Sequence, residues 1–181
     1  IRAALLEGEA DIAVHSFKDL PTGRPLGLAI GAVPARADPR DALVARDGLT
    51  LHDLPQEASV GTGSPRRAAQ LLAVRPDLTI VDIRGNVDTR LGRVKGLGRY
   101  AKNGGKEDLD AVVLAASGLA RLGHSGAVTE FLDPSVVLPA PAQGALAVEC
   151  RTADSRHGKL AKALARIDDR RTRLAATAER A

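Results

Sequence analysis

Three short stretches carry residue types that suit chemistry on an anionic ligand. Thr62-Gly63-Ser64-Pro65-Arg66-Arg67 follows an apolar run. Glycine permits close backbone approach, Ser64 suits a helix N-cap and Pro65 the first helical position. Free backbone N–H groups and the helix dipole would face an anion there, with Arg66 and Arg67 beside it. After the next apolar run the pattern returns as Arg84-Gly85-Asn86-Val87-Asp88-Thr89-Arg90. The planar fork of arginine pairs with carboxylate or phosphate through two parallel hydrogen bonds, where lysine offers a point charge. The third stretch, His15-Ser16-Phe17-Lys18-Asp19-Leu20-Pro21, sets a lysine and an aspartate directly after another apolar run. An aspartate among cations stays ionised and can accept a proton or stabilise a developing cation. Taken singly, each stretch also reads as an ordinary turn or a solvated charge pair; two adjacent cradles in one sheet are harder to dismiss.

The remaining reactive side chains point elsewhere. His52, His124 and His157 lack the carboxylate or cysteine spacing of a metal site, so no metal is expected. His15 lies inside a strand pattern and reads as structural, and Cys150 ends an apolar strand run and reads as core. Arg75, Arg93 and Arg99 read as arginines solvating helix faces. No Walker loop or dinucleotide fingerprint is present in its required strand-to-helix context.

The elements that must position these residues alternate between short apolar runs and helical patterns, the mark of a sheet with helices packed on it. A helix over 2–8 precedes a strand at 11–15; a strand at 28–33, interrupted by Gly31, precedes a proline-rich crossing at 34–39 and a strand at 41–45. From 58 onward the pattern predicts strand, helix (65–74), strand (78–83), helix (86 to about 96), strand (110–115) and helix (117–122), a βαβαβ unit with a largely parallel sheet. The glycine-rich, charged segment 96–108 reads as a mobile surface loop, and a strand at 145–150 with helices over 154–166 and 171–180 closes the chain. Ligands of open α/β sheets bind beyond the carboxyl ends of strands, which is where all three stretches fall.

Composition bounds the function. With 181 residues, 44% hydrophobic and 27% charged, the chain is globular. Aromatics are 2% (Phe17, Tyr100 and Phe131), which disfavours stacking of single-stranded bases, and a net charge of +4 is too small to argue for nucleic acid. Residues 59–106 nevertheless carry a local net of +7 against −3 for the rest, a distribution suited to a small anion. A single cysteine excludes an internal disulfide framework, and no apolar run approaches the ~20 residues of a membrane span, so a cytoplasmic location is expected. With no methionine and with Ile1 opening inside a helical pattern, the chain is expected to be an internal fragment of a longer protein.

In order along the chain, DIAVHSFKDLPT, GAVPARADPRDALV, VGTGSPRRAAQL, IRGNVDTRL, SGLARLG, LPAPAQGALAVECR and AERA closely resemble the hydroxymethylbilane synthases, also called porphobilinogen deaminases. The resemblance implies a transferase of tetrapyrrole and haem biosynthesis that condenses four porphobilinogen molecules head to tail, releasing ammonia at each step, to give hydroxymethylbilane. It implies an α/β fold of two lobes resembling type II periplasmic binding proteins, each a mainly parallel sheet with helices on both faces. The first lobe, 1–35 with 144–162, would be partial; the second would be 40–138, and 163–181 would start a truncated third domain. By position, Asp19 and Lys18 would be catalytic, with Asp19 assisting proton transfers and stabilising the cation formed when ammonia leaves. Ser16, Lys18, Asp19, Thr62, Ser64, Arg66, Arg67 and Gly85 would hold the dipyrromethane cofactor; Arg84, Arg90, Arg121 and Gln143 would meet the incoming pyrrole and the growing chain. The cysteine that carries the cofactor in the family lies in a loop beyond AERA and has no counterpart here, so the fragment alone is expected to be inactive. The expected partner is porphobilinogen, with no nucleic acid or membrane, and the expected state is a monomer. The alternative is a two-lobed carboxylate-binding module, a solute-binding protein or a regulator's effector domain, which needs the cations but no proton-transfer carboxylate among them.

Overall fold

A computed structural model describes residues 1–23 and 25–181. The chain divides into two compact units, Ile1–Pro39 with Ala140–Ala181, and Arg40–Pro139.

The first unit contains α1 (Arg2–Glu7), β1 (Ile12–Ser16) and β2 (Leu28–Ala32) from the first segment. Its returning segment supplies the later elements β8 (Leu146–Arg151), α5 (Gly158–Ile167) and α6 (Arg170–Glu179). Strand order is β1-β8-β2, with β8 antiparallel to both neighbours, so β1 and β2 run the same way on either side of a reversed strand. The expected interruption at Gly31 is a register shift against β8 between Ile30 and Ala32 rather than a break. Alternation along β8 covers both faces. Val148 and Cys150 meet Leu164 of α5, whereas Ala147 faces the cluster that includes Ala176 of α6. On that same face Leu5 of α1 packs on Ala13 and Leu28, and Arg2 grips the buried Glu149 carboxylate with two bonds of 3.0 Å. Residues 163–181, expected to open a third domain, pack here on the first unit.

The second unit holds β3 (Asp41–Ala45), β4 (Ser59–Gly61), α2 (Pro65–Val74), β5 (Thr79–Val81), α3 (Val87–Leu91), β6 (Ala111–Ala115), α4 (Ala116–Arg121) and β7 (Glu130–Phe131). Its sheet runs β5-β4-β6-β3-β7; β5, β4 and β6 are mutually parallel, β3 is reversed, and β7 opposes β3. Four of the five strands therefore share one direction, and the mainly parallel sheet expected from the βαβαβ pattern contains one inserted reversed strand. Strands buried on both faces carry continuous apolar runs, as ALVA at 42–45 and AVVLA at 111–115 do. Leu43, Val60, Ala111 and Val113 pack with Leu71 of α2 on one face. Ala42, Val44, Val112 and Leu114 pack with Leu91 of α3 and Leu119 of α4 on the other.

Two helices are shorter than their patterns predict: α5 begins at Gly158 instead of 154, and α3 stops at Leu91 instead of about residue 96. The backbone beyond it is taken by the returning segment, with Glu107 N–H donating to Gly92 O, Leu109 N–H to Arg93 O, and Val94 bridging Leu109. Segment 96–108, expected as a mobile loop, is thereby pinned at its base, and Glu107 Oε1 accepts from Gly98 N–H at 2.7 Å across it.

Candidate functional site

In the second unit both arginine turns leave the sheet at one edge, because β4 and β5 are adjacent and parallel with Gly61 opposite Val81. Ser64 caps α2, its hydroxyl accepting from Arg67 N–H at 3.5 Å, and Pro65 opens the helix as the sequence predicts. Thr62 is buried and its Oγ1 accepts from Ser64 N–H at 3.2 Å, which fixes the turn. Gly63 is required here, since a Cβ would lie 2.6 Å from the Ile83 carbonyl oxygen of the neighbouring turn. That second turn needs Gly85, whose φ of +111° lies in the region L side chains avoid. Asn86 caps α3 by accepting from Thr89 N–H at 2.8 Å.

The arginines of these turns divide into two kinds. Arg67, 6% exposed, donates through Nε and Nη2 to Asp41 Oδ1 at 3.0 and 2.6 Å and through Nη1 to Val113 O at 3.2 Å. Arg66 donates to the other oxygen, Asp41 Oδ2, at 2.7 Å and to the Leu138 carbonyl. Asp41, fully buried, is the residue sequence reasoning missed. It stands opposite Ala115 in the antiparallel β3–β6 pair, and this register brings it to the carboxyl edge of β6. A charged residue opening an otherwise apolar buried run was the available signal. Arg84 and Arg90 are the second kind. Arg84 is exposed, 3.7 Å from Asp82, and Arg90 donates through Nε to Gly85 O at 2.8 Å. Partial burial, and then the positive charge of Arg67, push the Arg90 guanidinium below its ordinary value, with Asp82 opposing. Four guanidiniums thus share one edge with the carboxylates of Asp41 and Asp82, leaving an excess of positive charge. Arg121 stands exposed in the last turn of α4 and makes no hydrogen bond to either turn among the described residues.

The first unit holds the other candidates. Ser16 ends β1, and Phe17–Asp19 form a single 3-10 turn closed by Leu20 N–H donating to Phe17 O. Lys18 Nζ donates to Gln143 Oε1 at 3.1 Å, and Gln143, fully buried, donates through Nε2 to Pro39 O at 2.8 Å. Asp19 is exposed and its carboxylate meets no described residue through a hydrogen bond or ion pair. His15 Nε2 lies 3.3 Å from Glu149 Oε2 without hydrogen-bond geometry. Cys150 is buried, and burial pushes its thiol up, consistent with a core residue.

Three arginines read as solvated do more than that or are held by neighbours. Arg75 donates to the carbonyls of Leu51, His52, Leu54 and Pro55 and pairs with Asp77, clasping the 51–55 turn. Arg93 pairs with Asp108, and Arg99 lies 5.0 Å over Tyr100. No group of three or more metal-ligating side chains is found among the described residues.

The donor set of the second unit's two turns, the guanidiniums with the hydroxyls of Thr62 and Ser64, fits a ligand that carries carboxylates. The fold is shared with solved proteins: the chain superposes on a periplasmic substrate-binding protein of Coxiella burnetii over 98% of its length and 79% of that chain (TM-score 0.52, 17% identity). It also superposes on a putative methionine-binding lipoprotein of Bacillus subtilis over 94% and 75% (TM-score 0.54, 13% identity). Sequence defines the family more narrowly. The family model described as "Porphobilinogen deaminase, dipyromethane cofactor binding domain" matches residues 1–159, and the chain belongs to that family. Among curated relatives, the porphobilinogen deaminase of Acidothermus cellulolyticus is 59% identical over 182 residues, covering all of this chain and 52% of that protein. That of Micrococcus luteus is 56% identical over 199 residues, covering all of this chain and 53% of that protein. The chain thus spans about half the length of the curated relatives it matches.

Proposed function

We propose that this chain is the cofactor- and substrate-holding part of a longer porphobilinogen deaminase, which condenses four porphobilinogen molecules into hydroxymethylbilane. The observation that carries the reading is the juxtaposition of two capped, arginine-bearing turns at one sheet edge, within a chain belonging to this family. Porphobilinogen bears acetate and propionate groups, and each needs a cation once water is displaced. When bound, the dipyrromethane supplies the nucleophilic pyrrole carbon on which the chain is extended. Ser16, Lys18, Thr62, Ser64, Arg66 and Arg67 are the residues that would hold its carboxylates, with the backbone at Gly85 beside them. Arg84, Arg90, Arg121 and Gln143 are assigned to the incoming pyrrole and growing chain.

Asp19 is assigned the proton work. Each condensation forms one carbon–carbon bond, releases ammonia from the substrate aminomethyl group and removes a proton from the attacked pyrrole carbon. A carboxylate near the pyrrole N–H groups stabilises the cation left as ammonia departs and takes part in both proton movements. Lys18, tethered by Gln143, keeps a positive charge beside it for substrate carboxylates. On this reading residues 163–181 lead into a third domain, the enzyme is a cytoplasmic monomer, and the 181-residue chain alone is inactive.

The test follows porphobilinogen loss by the full-length enzyme beside Asp19→Asn. Consumption by the wild type that the near-isosteric change abolishes is the expected result. A folded wild type carrying its bound cofactor that consumes none would overturn the enzyme reading in favour of a carboxylate-binding module.

A further inference from the structure

The geometry points to Arg180 as the positioning residue of the Lys18–Asp19 turn, an inference that rests on the proposed function only for what that turn does. Arg180 follows α6, and its guanidinium lies 4.7 Å over the Phe17 ring. Nη1 donates to Phe17 O at 2.9 Å, and Nη2 donates to Leu20 O at 2.7 Å and Pro21 O at 2.9 Å. These carbonyls bracket Lys18 and Asp19, so one planar fork grips both ends of the turn. Phe17 and Leu20 are buried, Phe17 N–H donates to Ala145 O at 3.0 Å and Leu20 N–H to Phe17 O at 3.3 Å, and Lys18 Nζ is tethered by Gln143. Among the described residues, however, Arg180 alone joins the carbonyls at both ends of the turn through one side chain. Asp19 projects without a hydrogen-bond partner among the described residues, so the backbone that Arg180 grips sets where its carboxylate stands.

The neighbouring side chain leaves Arg180 to this task. Glu179 accepts from Arg36 at 2.5 and 2.9 Å and from Ala142 N–H at 2.7 Å, which anchors the end of α6 and keeps its carboxylate away from the Arg180 fork. Lysine at 180 has no fork and no fixed plane to lay on Phe17, so it reproduces only part of the grip. An open recess of about 470 Å³, bordered by Lys18, Pro21, Pro141 and Arg180, gives a small cation access to the place the guanidinium occupies.

The test compares Arg180→Ala and Arg180→Lys with wild type in the full-length enzyme, reading amide exchange, kcat and KM for porphobilinogen, and rescue by millimolar guanidinium. In Arg180→Ala, exchange at the Leu20 amide rises at least about tenfold while that of β8 and α5 is unchanged. The kcat falls about 10- to 100-fold, as expected for a catalytic group displaced by an ångström or less, with KM within about threefold. Arg180→Lys falls between, and guanidinium restores turnover and turn protection together in the alanine variant. Unchanged exchange and kcat in a folded alanine variant overturn the inference. So does faster exchange throughout the first unit with no guanidinium rescue, the mark of general destabilisation. Where the alanine variant does not fold, the same readouts on the lysine variant decide. A wild type that consumes no porphobilinogen defeats the proposed function alone, because exchange at Leu20 still reports whether Arg180 holds the turn.

Discussion

Asp41→Asn is the sharpest probe of how the second unit holds its arginines. The carboxylate is fully buried and takes three guanidinium hydrogen bonds at 2.6–3.0 Å, two from Arg67 and one from Arg66. Asparagine preserves volume, so no cavity term enters, but it strands the buried Arg67 charge without a counter-ion. Removing one member of such a pair costs about 3–5 kcal/mol. For a chain of this size that is a fall in Tm of about 6–20 °C, at about 2–4 °C per kcal/mol. Thermal and urea unfolding followed by far-UV circular dichroism measure it. Removing both charges, as Asp41→Asn with Arg67→Met, recovers most of the loss, because neither group is then left buried and unpaired. Added acetate stabilises Asp41→Asn more than wild type, since an external carboxylate pairs with the partly exposed Arg66 guanidinium that has lost its counter-ion. A loss below about 1 kcal/mol, the scale of an exposed ion pair, would refute the claim that Asp41 is the counter-ion on which the cradle is built.

Other outcomes follow from the same geometry. Arg84→Ala leaves stability within about 0.5 kcal/mol, because its side chain is exposed and far from close pairing. On the proposed function, Arg84→Ala in the full-length protein weakens porphobilinogen engagement by about 2 kcal/mol or more through loss of a desolvated charge pair, read from KM and inhibition by a dicarboxylate. Burial alone would raise Asp110, but hydrogen bonds from Lys95, Ser59 and Arg46 outweigh it and hold the carboxyl well below the usual carboxylate range. Its folded value lies below its unfolded value, so its contribution is complete above about pH 4 and is lost as pH falls through the folded value. Urea midpoints between neutral pH and pH 3 should therefore fall more steeply for wild type than for Asp110→Asn, and equal slopes would remove the network from the account.

What the sequence determined by itself is local. Apolar runs, the Ser64-Pro65 start of α2, the Asn86 cap of α3 and the glycines at 63 and 85 specify the two turns and the strands they leave, because caps and side-chain periods act over a few residues. Ordered motifs added the family, and with it positions for Lys18 and Asp19. Even there, α3 ends early, since returning residues 107–109 take backbone groups that the helical pattern assigns to a further turn. What only the tertiary structure decided is which distant groups complete those turns. Arg67 meets Asp41 only because β3 inserts antiparallel beside β6, and Lys18 meets Gln143 across 125 residues of chain. Arg180 reaches Phe17 across 163 residues. The partner of a buried charge or an exposed turn is chosen by strand order and packing, quantities that no short window of sequence contains.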